Sequence, residues 1–272
     1  MSKVLVLLAD LHVGATSALL PPDFETHEGY RVSLNPVQKW LWKAWGDCWQ
    51  WARKVIGKDE WAAIVNGDAV EGIHHNTKEV WSPDEGDHVS AATDLLHDVL
   101  EKASAVYMTE GTNCHAKNLE HGIAAALSRK GIAVKKPAGK MYAWPELRLN
   151  VAGTPCEIDH HMPTTMRSYL ESSQFAITLG DIRNQRARAG WEVPKVIIRS
   201  HRHRFGLYED GYGMMLSLPS WQASNRFTHR VVPGMVPQVG LVVMDFRNVE
   251  AGGTPVIHKR LHTIQAPSSE VL

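Results

Sequence analysis

The sequence has no stretch approaching the roughly 20 apolar residues that a membrane span requires. Its N-terminal apolar run stops at Asp10, too short for the core of a secretion signal. A helical membrane protein is excluded, and a soluble, cytoplasmic chain is expected. Cysteine is scarce: Cys48, Cys114 and Cys156 are three, far apart and without paired spacing. That excludes a disulfide framework or a zinc ribbon and fits a reducing compartment. Charge of one sign is also missing, with 29 basic residues against 29 acidic ones. A surface that binds polyanions everywhere is therefore excluded, although a local one is not. No internal repeat and no low-complexity segment occurs.

The charge that is present is unevenly spread. Residues 59–120 are rich in Asp and Glu, whereas 183–204 carry seven Arg or Lys against one Glu. A chain of 272 residues with 44% apolar content can bury a large core. Residues 1–265 are read as a single domain and 266–272 as a frayed tail.

Strands and helices alternate through the first two-thirds of the chain. KVLVLLA (3–9) reads as a buried strand, followed by a long loop at 14–34 with Pro21, Pro22 and Gly29. Leu41, Trp45, Cys48, Ala52 and Val55 keep a helical interval. Tryptophans 40, 42, 45, 49 and 51 cluster there, and packing on a sheet is expected over base stacking. AAIVNGD (62–68) is a second strand. Val89 to Ala103 mark a helix, AVYMTEG (105–111) a third strand, and Leu119, Ile123 and Leu127 another helix before a short strand in IAVKK. ELRLNVAG and PCEIDHH form a hairpin turning at Gly153. Met166, Leu170, Ser173 and Ile177 mark a helix, and VPKVIIRSH (193–201) a strand. The tail is β-rich: GMMLSLPSW, QVGLVVMDF and TPVIHKRLH.

Ligand-type residues recur where these strands end. Asp10 and His12 close the first, Asp68 the second, and Asn113 with His115 follow the third. His160 and His161 end PCEIDHH, and His201 and His203 end VPKVIIRSH. Residues i and i+2 of a strand share a face, and strand carboxyl ends are where open α/β sheets bind ligands. A lone buried His needs only a hydrogen bond. Five strand ends that all deliver His, Asp or Asn point to imidazole and carboxylate ligands for Mn²⁺, Fe²⁺ or Zn²⁺. About seven ligands drawn from these residues exceed one tetrahedral zinc and suit two adjacent ions sharing a carboxylate.

The ordered set D-x-H (10–12), G-D (67–68), an Asn-His element (113–115), a His near 160 and H-x-H (201–203) resembles the calcineurin-like metallophosphoesterases. The resemblance spans residues 4–204. It implies a four-layer α/β/β/α sandwich, two packed mixed sheets flanked by helices, with the β-rich tail completing the second sheet. It also implies that Asp10, His12, Asp68 and His203 hold one ion, and that Asp68 bridges to a second held by Asn113, His161 and His201. His160 is the alternative to His161. The family's usual Gly-Asn-His is here EGTNCHAKNLEHG, close to a phage-type Gly-Thr-x-x-His form followed by Glu, which His115 and Glu120 fit. Either Asn113 is a ligand and His115 the catalytic acid, or His115 takes the ligand place. Cys114 is read as a packed thiol.

The activity implied is hydrolysis of a phosphate ester by a hydroxide bridging two divalent ions, Mn²⁺ first, with Fe, Zn, Ni or Co as candidates. The expected partner is a phosphodiester, nucleotide or nucleic acid. A phosphomonoesterase and a catalytically silent scaffold are the competing expectations. Glu71, His74 and His75 beyond the bridging Asp are candidates to meet substrate or to organise water behind the ligands, and Arg199, Arg202 and Arg204 around the last His pair to clamp phosphate oxygens.

Overall fold

The computed structural model describes residues 2–74, 78–116, 119–162, 171–224 and 236–264, without the side chains of Cys114, Ala116 and Glu171. His75 and residues 265–272, the expected frayed tail among them, lie outside the described residues.

Among the described residues, ten strands form two five-stranded sheets. In the first, β1 (Val4–Leu8), β2 (Trp61–Asn66) and β3 (Ala105–Thr109) run parallel. β9 (Gln238–Asp245) lies antiparallel beside β1, and β10 (Val256–Thr263) forms the edge, giving the order β10-β9-β1-β2-β3. The second sheet has the order β4-β5-β6-β8-β7. It is built from the hairpin β4 (Leu147–Val151) and β5 (Thr154–Ile158), the central β6 (Val196–Arg199), and the hairpin β7 (Gly206–Asp210) and β8 (Gly213–Ser217).

The apolar pattern explains the layering. All five residues of β1 are buried, because both faces of the strand are covered. Val4, Val6 and Leu8 face one core together with side chains of α1 (Pro36–Ile56), α2 (Glu85–Leu100) and α4 (Leu119–Arg129). Leu5, Leu7 and Ala9 face the other core, against Ile158, Val196, Ile198 and Leu216 of the second sheet. The period of two thus assigns alternate residues to the helix layer and the sheet–sheet layer. α5 (Glu171–Arg188) covers the outer face of the second sheet through Phe175 and Leu179 on Ile197 and Met215. The expected four-layer sandwich is what the chain forms.

Local signals fix the helix starts. α1 begins at a capping box, in which Asn35 Oδ1 accepts from Gln38 N–H at 2.9 Å and Gln38 Oε1 accepts from Asn35 N–H at 3.2 Å. Pro36 fills the first helical position, where no N–H is needed. Trp45 and Trp49 are buried against the sheet, and Trp45 packs edge-on to Trp221 with centroids 4.8 Å apart. Trp40, Trp42 and Trp51 are partly buried against the same core, so the cluster packs on the sheet as expected.

Four expectations are corrected. The β-rich tail does not complete the second sheet. β8 joins it, but β9 and β10 extend the first sheet, because seven of the eight residues of β9 are buried and need cover on both faces. IAVKK makes only an isolated bridge, Val106 to Val134, rather than a strand. β7 was not foreseen. In α5 the inward residues are Phe175, Leu179 and Ile182, while Ile177 is 56% exposed; Met166 and Leu170 lie outside the described residues.

Candidate metal centre

β1, β2 and β3 release their chains at one end of the first sheet, and β5 and β6 release theirs at the facing end of the second. The two ends are stitched together. Asn66 Nδ2 donates to Asp159 O (3.0 Å) and Ser200 Oγ (2.6 Å), and His201 N–H donates to Asp10 Oδ2 (3.2 Å).

The turns that follow are held in an unusual conformation. Asp10, His12, Asp68, His201 and His203 all have positive φ, between 46° and 69°. Only Asp23 and Ala152 share this among the other described non-glycine residues. Left-handed backbone costs an L-residue about 1 kcal/mol or more and persists where surrounding structure demands it, which is often at a functional site. Two glycines permit the close packing. A Cβ on Gly67 would lie 2.4 Å from His160 Nδ1, and one on Gly111 would lie 2.2 Å from Asp68 N.

Two trios of donor atoms face each other here, beside a third group of His12, Glu71 and His115 that shares His12 with the first. In the first, His12 Nε2 and His203 Nε2 are 3.1 Å apart, with Asp10 Oδ1 at 3.5 Å from His203 and 4.0 Å from His12. The second comprises Asp68, His160 and His201. Asp68 Oδ2 is 3.1 Å from His160 Nε2 and 3.9 Å from His12 Nε2, so one carboxylate faces both trios.

Partners behind the rings fix their tautomers. His160 Nδ1 meets the carbonyl of Asn66 at 2.9 Å, which can only accept, so Nδ1 carries the proton and Nε2 turns toward Asp68. His12 Nδ1 donates to Glu71 Oε2 at 2.8 Å, and Gln222 Nε2 donates to the same oxygen at 3.1 Å. Glu71 Oε1 takes His74 Nε2 at 2.9 Å.

The electrostatics call for added positive charge. Burial disfavours ionised Asp10, yet His203 and His160 hold its carboxyl below the usual range. Asp68 is likewise lowered against burial by His160 and His12, and Glu71 by its bonds to His12 and His74. Burial disfavours charged rings too, but the carboxylates outweigh it. Glu71 and Asp68 push His12 up to about 9, and Asp68 and Asp10 push His160 up to about 10. Protons are thus drawn into the spaces between the donor atoms. Asp10 Oδ1 is buried without a hydrogen-bond partner. A donor set of carboxylates and imidazoles with an orphaned oxygen fits divalent ions such as Mn²⁺, Fe²⁺ or Zn²⁺.

The other expected residues separate. Between His160 and His161, it is His160 that lies in the cluster, fully buried; the His161 side chain is 57% exposed beside Asp159. Asn113 is exposed at the start of the short helix α3 (Asn113–Ala116). His115 borders the site, its Nδ1 donating to Glu71 O at 3.3 Å and its ring 4.8 Å from His12. Burial and the His12 charge bring its pKa down to about 4. Burial, then His160, lowers His201 as well.

Arg199 is a correction. It lies on the helix-facing side of β6, 5% exposed, donating to Glu157 Oε1 at 2.6 Å and to Ile198 O. Glu157 is shared with Arg186, so Arg199 belongs to a structural ion-pair network and not to a phosphate clamp. Arg202 stacks on Phe175, with 5.8 Å to the ring centroid, and Arg204 O accepts from Ser217 Oγ.

The sequence reading did not single out Thr112, Asn66 or Gln222, and it left Glu71 between substrate contact and a supporting place behind the ligands, where it lies against His12. Thr112 N–H donates to Asp68 Oδ1 at 2.6 Å, and its hydroxyl lies among Asp68, His160 and His201. Glu120 is fully buried beyond Gly111, and burial pushes its carboxyl up to about 7.

No family model matches the sequence, and no curated protein matches it. Solved structures do align. Vacuolar Protein Sorting 29 from Cryptosporidium parvum matches at 12% identity over 97% of this chain and 99% of that one, with a TM-score of 0.42. A predicted phosphoesterase from Streptococcus pneumoniae matches at 10% identity over 96% and 99%, TM-score 0.37. A novel archaeal phosphodiesterase matches at 10% over 96% and 99%, TM-score 0.42. Likeness of this degree says nothing of activity.

Proposed function

We propose that the protein is a metal-dependent phosphoesterase with two divalent ions, acting on phosphodiesters of the nucleotide or nucleic-acid class. The reading rests on Asp68, one carboxylate facing both the Asp10–His12–His203 trio and the His160–His201 pair. These residues would hold the ions, Mn²⁺ first. Bound there, two such ions would neutralise the ester's charge and lower the pKa of a water.

The chain's own groups supply the rest. Glu71 and the Asn66 carbonyl keep the Nε2 atoms of His12 and His160 directed inward. His115 borders the site as the candidate to protonate the leaving oxygen; burial and the His12 charge lower its pKa in the free protein. A monoester dianion needs more cationic partners than a diester. The commitment of Arg199 to Glu157 therefore favours the diester.

Protein loaded with Mn²⁺ is expected to hold about two ions per chain, as in two-metal sites, and to cleave a bis-aryl phosphodiester faster than the matching monoester. Asp68→Asn is expected to remove most activity with the fold intact. A metal content below one ion at saturation overturns the two-ion reading, and a monoester preference moves the assignment to a phosphatase.

A further inference from the structure

Asn113, expected beside the second ion, is exposed, while the hydroxyl of its neighbour Thr112 faces the second trio. The Thr112 Oγ1 atom lies 3.1 Å from Asp68 Oδ2, 3.3 Å from His160 Nε2 and 3.2 Å from His201 Nδ1. Asp68 Oδ2 and His160 Nε2 are themselves 3.1 Å apart. Four ligands with bonds of about 2.0 Å around a tetrahedral ion stand about 3.3 Å from one another. The hydroxyl thus sits at the distance of a fourth vertex, not at the centre where it would block an ion.

A hydroxyl has one proton and two lone pairs. Given to Asp68 Oδ2, that proton leaves the lone pairs facing two imidazole nitrogens. The His160 ring donates through Nδ1 to Asn66 O, so Nε2 is the atom left to face Asp68 and Thr112.

The backbone is built to hold the hydroxyl there. Thr112 N–H donates to Asp68 Oδ1, and the missing Cβ of Gly111 lets the two chains approach. Resting on the two-ion reading above, we propose that the Thr112 hydroxyl is the fourth protein donor to the second cation position, beside Asp68, His160 and His201.

The test uses the full chain and Co²⁺, titrated by absorbance and by metal content. The wild type should bind two ions. Thr112→Val should keep the first ion and bind the second 10–100-fold more weakly, while Thr112→Ser stays near the wild type. Thr112→Ala, which cannot overpack, serves the same purpose should the valine variant fail to fold. Thr112→Cys separates coordination from a merely structural hydrogen bond. A sulfur in that place should give an intense thiolate-to-cobalt charge-transfer band in the near ultraviolet, absent from the wild-type spectrum. Two ions bound by Thr112→Cys without that band, or unchanged second-ion affinity in the valine or alanine variant, overturns the inference. A wild type that binds fewer than two ions overturns the two-ion reading itself.

Discussion

Glu71 spends one carboxylate on two histidines, taking the Nδ1 proton of His12 on one oxygen and His74 on the other, while its carbonyl receives His115. His115 is thereby held beside the donor atoms without joining either trio closely. His115→Ala should keep both ions and lose rate mainly on esters with poor leaving groups, because activated aryl esters need little protonation. Steady-state rates across a leaving-group series, with metal content measured alongside, check this; loss of an ion would make His115 a ligand. At this scale Asp10, His12, Asp68, His201 and His203 were legible because each follows a strand with a clear apolar run. The choice between His160 and His161 was not. The chain has left β5 by then, and strand alternation no longer says which ring turns inward. Thr112 was hidden because a threonine hydroxyl carries no ligand signature until its neighbours in space are known.

The β5–β6 pair carries chemistry on one side and an ion-pair network on the other. Glu157 joins the buried Arg199 to Arg186 across the surface under α5. Burial disfavours the Glu157 carboxylate, but the two guanidinium groups hold its pKa below the ordinary 4.5. A carboxyl lowered on folding stabilises the native state above its unfolded pKa. That contribution is lost as pH falls from about 4.5 through the folded value. Glu157→Gln should therefore cost about 3 kcal/mol near neutrality, the scale for leaving a buried guanidinium without its carboxylate. The two proteins should converge below pH 4.5. Thermal unfolding from pH 3 to 7 reads this, and a constant gap across that range would contradict it. Elements with continuous apolar runs or helical spacing were legible in the sequence; their partners were not. β9 reads as a buried strand on its own, but pairing with β1 is set by a distant chain segment. α5 was misread in register because its buried face rests on Phe175 and Leu179 rather than on the marked residues.

For the molecule as a whole, the centre lies where two sheets meet, and its donors come from strands far apart in sequence. An ion held there ties both sheets together and binds only the folded chain. At 100 times its dissociation constant a ligand of this kind adds about 2.7 kcal/mol. At roughly 2–4 °C per kcal/mol for a chain near this size, Mn²⁺ should raise the melting temperature by several degrees, and a chelator should reverse it. Scanning calorimetry with and without chelator measures the shift; no shift at saturating metal would mean that the ions do not bind the folded chain in preference to the unfolded one. Among the described residues no helix is long and apolar enough to cross a membrane.

The left-handed backbone at Asp10, His12, Asp68, His201 and His203 has a consequence for how this protein would change under selection. Each of these sites is one where glycine fits the chain better than the residue present. A library screened only for heat resistance without metal would therefore drift toward glycine at the very positions that hold the centre. Persistence of acids and histidines there among thermally selected survivors would mark a demand other than stability, and thermal ruggedness and metal chemistry would be seen pulling one short turn in opposite directions.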